Sequence, residues 1–422
     1  MVSHQTCFLG IALGCILFVS GCNPDAESPS TASQPTTLPP VDRVQPGDPE
    51  WKEVGSDDAG NTPSSEPVSN EEAEEFARKW EESIRTGDAA GGAMLIDMDA
   101  LSDRILAPFD VNDQFRRGFR SGMSQTIESI LEQLSAEEQK GGSYRVVNVA
   151  MRGGQPHAMF RLLGSDGSLN YHDLRIVRKE AGLVADQFFI AMTGEDISDS
   201  VRENAAPVIR ASQSPVARVT GEDERQRERL NRQYEMALAM RSSDYVKVMQ
   251  IYEELPSDEK ESKSVQLHRL VAAMNLESDE YLQVIDEYEQ RFPNDPSLPM
   301  ITMDAAVMRE DFEQLEKSYA ALQLWVGGDP LLDLMVASTF ASFGRVERAD
   351  EIVADIDVNA VGIADAHEYA LNMALVKKDH EAVLTQLRKL REYGFGYGDL
   401  QEAEGFEEFV KSSAYQAWLS DE

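Results

Sequence analysis

Apolar positions recur at helical spacing from about Glu222 to Tyr393, and one five-residue pattern returns five times within that run. It reads Asp244-Tyr245-Val246-Lys247-Val248, Glu280-Tyr281-Leu282-Gln283-Val284 and Asp311-Phe312-Glu313-Gln314-Leu315, then Arg345-Val346-Glu347-Arg348-Ala349 and Lys378-Asp379-His380-Glu381-Ala382. Each copy follows one apolar helical stretch and opens another. The closing residues Val248, Val284, Leu315, Ala349 and Ala382 are spaced 36, 31, 34 and 33 apart. A period near 34 predicts stacked pairs of helices, each burying its apolar face against its neighbours.

Upstream the period changes. Glu71-Glu72 behind Ser69 or Asn70 suit a helix start, and Phe76, Ala77, Trp80 and Ile84 share one helical face before Gly87-Asp88 ends it. Helical stretches also cover Met98 to Leu106 and Asn112 to Leu134. Beyond Gly141-Gly142 the alternation becomes extended and predicts four strands: Tyr144–Met151, Pro156–Leu163, Leu169–Arg178 and Leu183–Met192. Gly153-Gly154, Asp166-Gly167 and Ala181-Gly182 separate them, so an antiparallel meander is expected. Residues 201–221, with Pro207 and Pro215 among Ser, Ala and Thr, read as a linker between this domain (70–200) and the helical domain (222–422). After Gly394-Phe395-Gly396-Tyr397-Gly398, the apolar positions Phe406, Phe409, Val410, Tyr415, Trp418 and Leu419 form an amphipathic ending suited to capping the stack.

The amino-terminal pattern differs again. Cys7 to Ser20 is apolar but too short to span a bilayer, and residues 22–69 are Pro, Ser, Thr, Gly, Asp and Glu with almost no periodicity. The second stretch is expected to be a disordered tether of roughly 35–40 Å mean span.

Three resemblances follow. Val19-Ser20-Gly21-Cys22 resembles the lipobox of bacterial lipoproteins, which implies cleavage of a signal peptide at residues 1–21, lipid on Cys22 and a lipid-anchored place in the cell envelope. Met1 to Gly21 departs from that pattern in lacking Lys and Arg. The helical period resembles the tetratricopeptide repeat. The best copy starts at Asp329-Pro330, with Val336, Ala337 and Phe340 on the first helix and Ala349, Val353 and Ile356 on the second. Ala337 stands where that family has Gly and Phe340 where it has Tyr. The order of elements in 70–200 resembles the nuclear transport factor 2-like fold, a cone of sheet around a long helix. The fold class expected is therefore an α+β cone-like domain, helices then a four-stranded antiparallel sheet, followed by an all-α tetratricopeptide-like domain.

Charge narrows the partners. In 422 residues, 75 acidic against 39 basic side chains leave a formal −36, which disfavours nucleic acid. Once Cys7 and Cys15 leave with the leader and Cys22 takes lipid, no thiol remains for disulfides, catalysis or metal. No phosphate loop, HExxH pattern or Gly-x-Ser-x-Gly elbow is present, and no cofactor is implied. Gly91-Gly92 reads as turn punctuation. An enzyme would have to recruit His157, His172, Asp173 and Asp186, and His172-Asp173 cannot act as a pair because strand neighbours point to opposite faces. Two functions compete. One is a membrane-anchored, non-catalytic scaffold or adaptor holding protein or peptide partners in a groove lined by Asp333, Phe340 and Glu368. The other is a small-molecule-binding or hydrolase/isomerase-type enzyme in the cone, docked by the repeats.

The lipid expectation is directly testable. Cys22→Ser should give an uncleaved or soluble precursor; unchanged mass and membrane partition of that variant would contradict it.

Overall fold

The computed structural model describes residues 67–213, 222–276 and 280–420; the leader, Cys22 and the tether up to residue 66 lie outside them. The fold is mixed: a five-stranded antiparallel sheet with helices, followed by helices alone. Among the described residues no helix is long and apolar enough to cross a membrane.

Helix α1 (Asn70–Thr86) begins with a capping box. Glu72 N–H donates to Ser69 Oγ at 3.3 Å, and Ser69 N–H to Glu72 Oε2 at 2.9 Å. Its buried face carries Phe76, Ala77, Trp80 and Ile84, as the periodicity predicts. Helices α2 (Ala89–Ala93), α3 (Met98–Leu106) and α4 (Asp113–Gln139) follow. Gly91-Gly92, expected as a turn, instead lies in α2, where the Asp88 carboxylate accepts from Gly91 N–H at 2.9 Å. A Cβ at Gly92 would stand 2.7 Å from Ser83 Oγ and 2.8 Å from a Leu131 methyl, so the missing side chain lets α2 lie close to α1 and α4.

Strands β1 (Ser143–Arg152), β2 (Gln155–Leu163), β3 (Leu169–Lys179) and β4 (Gly182–Ile190) pair in sequence order, matching the four expected strands. Gly153 and Gly154 both have positive φ, the geometry of a two-residue hairpin turn. A two-residue β5 (Glu195–Asp196) adds a fifth strand on β4, too short to leave a period in the sequence. Residues 201–213 are not linker: helix α5 (Ile197–Gln213) occupies them and continues through Pro207, while 214–221 lie outside the described residues. Proline removes one helical hydrogen bond, but burial of Val201 and Ile209, the latter against Leu106 and Phe109, holds the helix.

The helical part runs as α6 (Glu222–Arg241), α7 (Tyr245–Glu254), α8 (Lys263–Asn275), α9 (Tyr281–Arg291), α10 (Leu298–Met308), α11 (Phe312–Val326), α12 (Pro330–Ser342), α13 (Val346–Val353), the single-turn α14 (Val358–Val361), α15 (Ala364–Lys377), α16 (His380–Glu392) and α17 (Ser413–Ser420). The recurring five-residue pattern is the start of the second helix of each pair. Asp244, Asp311 and Asp379 cap α7, α11 and α16, accepting at 3.1 Å from Lys247, Gln314 and Ala382 N–H. The fifth copy is thereby shifted one residue from the sequence alignment. Its fully buried member is Val383, equivalent to Val248, Val284, Leu315 and Ala349, while Ala382 is only half-buried.

Four of these turns share one backbone geometry. Ser243, Glu310, Gly344 and Lys378 are left-handed, with φ of 54°, 54°, 74° and 57°. The next residue's N–H reaches back across the turn: Asp244 to Ala239 O at 2.8 Å, Asp311 to Ala306 O at 2.8 Å, Arg345 to Phe340 O at 2.9 Å and Asp379 to Ala374 O at 2.9 Å. These are the long backbone bonds of a Schellman-type stop, closing one helix while the same residue starts the next.

The chain divides into two compact units, with described residues up to Leu322 in one and from Gln323 in the other. In the first unit the sheet is joined to the helices by Lys263 on α8. Its Nζ lies 3.1 Å from Glu195 Oε1 and 2.5 Å from Asp295 Oδ2, with the side chain only 13% exposed. Ser262 Oγ donates to Glu203 of α5 at 2.8 Å beside it. In the second unit Ala337 on α12 and Ala349 on α13 are fully buried among Val336, Leu332 and Phe340. Enlarging Ala337 to Trp should therefore destabilise that unit by about 1–3 kcal/mol through overpacking. Denaturant unfolding of the variant measures this, and an unchanged midpoint would show the seam to be slack.

Candidate functional site

Alternation along β3 separates two clusters. On one face Trp80 of α1 meets Tyr144, Phe160 and Phe188, all buried, and Trp80 and Phe188 rings lie 5.8 Å apart edge to face. His172 belongs to this packing, its ring 5.1 Å from Phe188. The indole can only donate, and Trp80 Nε1–H donates to Tyr144 Oη at 3.1 Å. The phenol oxygen also lies 3.2 Å from His172 Nδ1, so the chain of contacts runs from the indole through the phenol to the imidazole. Burial pushes the Tyr144 hydroxyl up, and lowers His172 to about 3, so this imidazole stays neutral at ordinary pH.

The other face gathers charge. His157 on β2 and Asp173 on β3 are diagonal neighbours, because His157 pairs with Arg175 and Asp173 with Met159. His157 Nδ1 lies 3.0 Å from Asp173 Oδ1, and Arg152 donates to Asp173 Oδ2 at 2.9 Å. Burial raises the Asp173 carboxyl, but His157 and Arg152 outweigh it and hold the group below the usual carboxylate range. Asp186 is the extra residue of a bulge in β4 and takes a two-pronged contact from Arg175, at 2.9 and 2.8 Å. Arg104 of α3 donates to the Asp186 backbone carbonyl.

The four residues expected of an enzyme are thus split. His172 lies in the packed core, Asp186 is committed to Arg175, and His157 with Asp173 forms the one His–carboxylate pair among them. That pair was within reach of the sequence. The turn that closes at Leu163–Leu169 fixes the β2–β3 register, which sets Asp173 diagonal to His157. In its neutral form, with Nδ1–H on Asp173, the imidazole offers Nε2 as an acceptor, the arrangement of an oriented base. Among the described residues no three His, Cys, Asp or Glu side chains converge as a metal site.

The groove residues fare differently. Glu368 on α15 is exposed, as expected. Asp333 is only half-buried rather than free on the surface, and its carboxylate accepts from the Gln323 side-chain amide. Phe340 does not line a groove: it is fully buried, because α12 is covered on all sides, with Leu331, Leu332 and Leu334 through Ala341 all buried. A shallow open groove of about 400 Å³ lies elsewhere, between α7 and the end of α8, lined by Val246, Met249 and Leu276 with Glu253 and Glu254.

No protein-family model, curated protein or solved structure matches the chain.

His172 gives a pH signature. Above pH 6.5 it is neutral folded and unfolded alike; between 6.5 and about 3 the unfolded chain takes up a proton that the folded one refuses, so stability falls as pH falls. His268, lowered by burial to about 4, acts in the same sense, while burial raises Glu195 and Asp196 and works against it. Subtraction isolates one residue. His172→Gln should lose stability less steeply than the wild type between pH 7 and 5, by up to about 1.4 kcal/mol per pH unit. Equal slopes in urea unfolding would mean the imidazole is not held neutral.

Proposed function

We propose that this protein is a membrane-anchored, non-catalytic scaffold or adaptor that holds protein partners through its helical region. The lipid on Cys22 fixes it to a bacterial membrane, and the acidic tether carries the folded part clear of the headgroups. The sheet domain is a nuclear transport factor 2-like cone, and the helices are degenerate tetratricopeptide-like repeats. The observation that carries this reading is the turn built in the same way at Ser243, Glu310, Gly344 and Lys378, each followed by a helix whose first turns bury a small or aliphatic residue. Arrays of repeated helix pairs bind other chains on the surface their first helices line; here α8 and α12 are buried along nearly their whole length, whereas α15 keeps a charged residue, Glu368, in water.

A second reading, a hydrolase- or isomerase-type site, draws on His157 oriented by Asp173. It moves the candidate chemistry away from His172 and Asp186 to the charged face of the sheet. The adaptor reading is preferred because it uses a feature built four times over, whereas the second uses a single pair.

The test is capture of partners by the full-length chain in its own envelope fraction. Glu368→Lys, on a first helix, should lower capture several-fold without changing the thermal melt, and Glu347→Lys, on a second helix, should not. If both variants capture like the wild type, the first-helix surface is not where partners are held.

A further inference from the structure

The end of α16 holds two aromatic rings in water. Gly394, at φ 90°, closes the helix: its N–H donates to Arg391 O at 2.9 Å, and Phe395 N–H donates to Leu390 O at 3.0 Å. The residue after such a left-handed stop ordinarily folds its side chain back against the helix. Phe395 instead remains 43% exposed, and Tyr393, just before the glycine, 44%. Both are fixed by backbone hydrogen bonds, so their exposure is built into the turn.

Their surroundings are aromatic and, beyond the helix, acidic; of the basic residues in the last turn, Lys389 is paired with Glu392 and Arg391 lies on the Trp418 ring. The Tyr393 ring lies 5.6 Å from His367, whose chain neighbour Glu368 is exposed. Burial, then the charge of Glu368, push the nearby Tyr397 hydroxyl up to about 12. From Asp399 to Glu408 the chain carries five carboxylates and no Lys or Arg. The same cap already binds one guanidinium: Arg391 stacks 3.6 Å above the Trp418 ring, which Tyr397 meets edge-on at 6.4 Å.

We propose that Tyr393, Phe395 and Glu368 form a docking site for an arginine-rich segment of a partner protein. Exposed ring faces attract guanidinium groups, Glu368 supplies the opposite charge, and the acidic stretch beyond concentrates a basic chain near them. This rests on the adaptor reading and names the chemistry of the partner.

The probe is a fluorescein-labelled twelve-residue peptide alternating Arg and Ser, with an alternating Glu and Ser peptide as control, titrated with the full-length chain at near-physiological salt. The Arg–Ser peptide should bind and the Glu–Ser peptide should not. Tyr393→Ala with Phe395→Ala should weaken binding about tenfold. Glu368→Gln should weaken it about threefold and flatten its salt dependence. Glu71→Gln, on the exposed side of α1, should leave it unchanged. Phe395→Leu keeps apolar bulk without a ring and should weaken binding with an unaltered melt, which separates recognition from folding. Wild-type affinity in the aromatic variants, or an equal loss from Glu71→Gln, overturns the site. The peptide assay uses no natural partner, so its failure is distinguishable from a failure of partner capture.

Discussion

Close approach of paired helices at small side chains is the constraint on which the helical region depends. Helix axes pack at about 8–10 Å, and the lower end of that range needs residues the size of Ala337 and Ala349 at the crossing. Leu332, Val336 and Phe340 of the same helix are fully buried around that approach. A large residue at either alanine would lift the helices apart and expose what they now bury. The sheet domain solves the same problem with Gly92, whose bare backbone lets α2 lie on Ser83 and Leu131.

Much of this was legible before any coordinates. Extended stretches bounded by glycines gave the four long strands, although β2 and β3 are buried on both faces over most of their length and alternate little. The helix pairs were legible through their starts: an Asp that caps and a buried residue four positions on. What stayed hidden was held by tertiary contact. Helix α5 runs through Pro207 because Val201 and Ile209 are buried, and local preference alone argues for a break there. The spacing of Phe340 suits a groove as well as a seam, and packing decides the matter by covering α12 on every side. The His157–Asp173 pair needed strand register as well as strand identity, a step beyond single-strand patterns.

Lys263 changes how the first unit should be pictured. A cation between Glu195 of β5 and Asp295 ahead of α10, almost out of water, is costly to separate from either partner. Gly194 lies against it so closely that an added Cβ would stand 2.3 Å from the Asp295 carboxylate. The sheet and the early helices are therefore joined rigidly at this corner. A load placed on α8 is met by the sheet edge.

The left-handed turns explain why the helix pairs carry so little recognisable sequence. Their geometry is held by main-chain hydrogen bonds, and the position at its centre is Ser243, Glu310 or Lys378 as well as glycine at Gly344. A side chain forced to positive φ costs about 1 kcal/mol or more, which the packed seams on either side offset. The same turn therefore carries a negative side chain at Glu310 and a positive one at Lys378, both exposed. At such a turn the sign of the surface charge can change while the backbone hydrogen bonds that join the two helices stay the same.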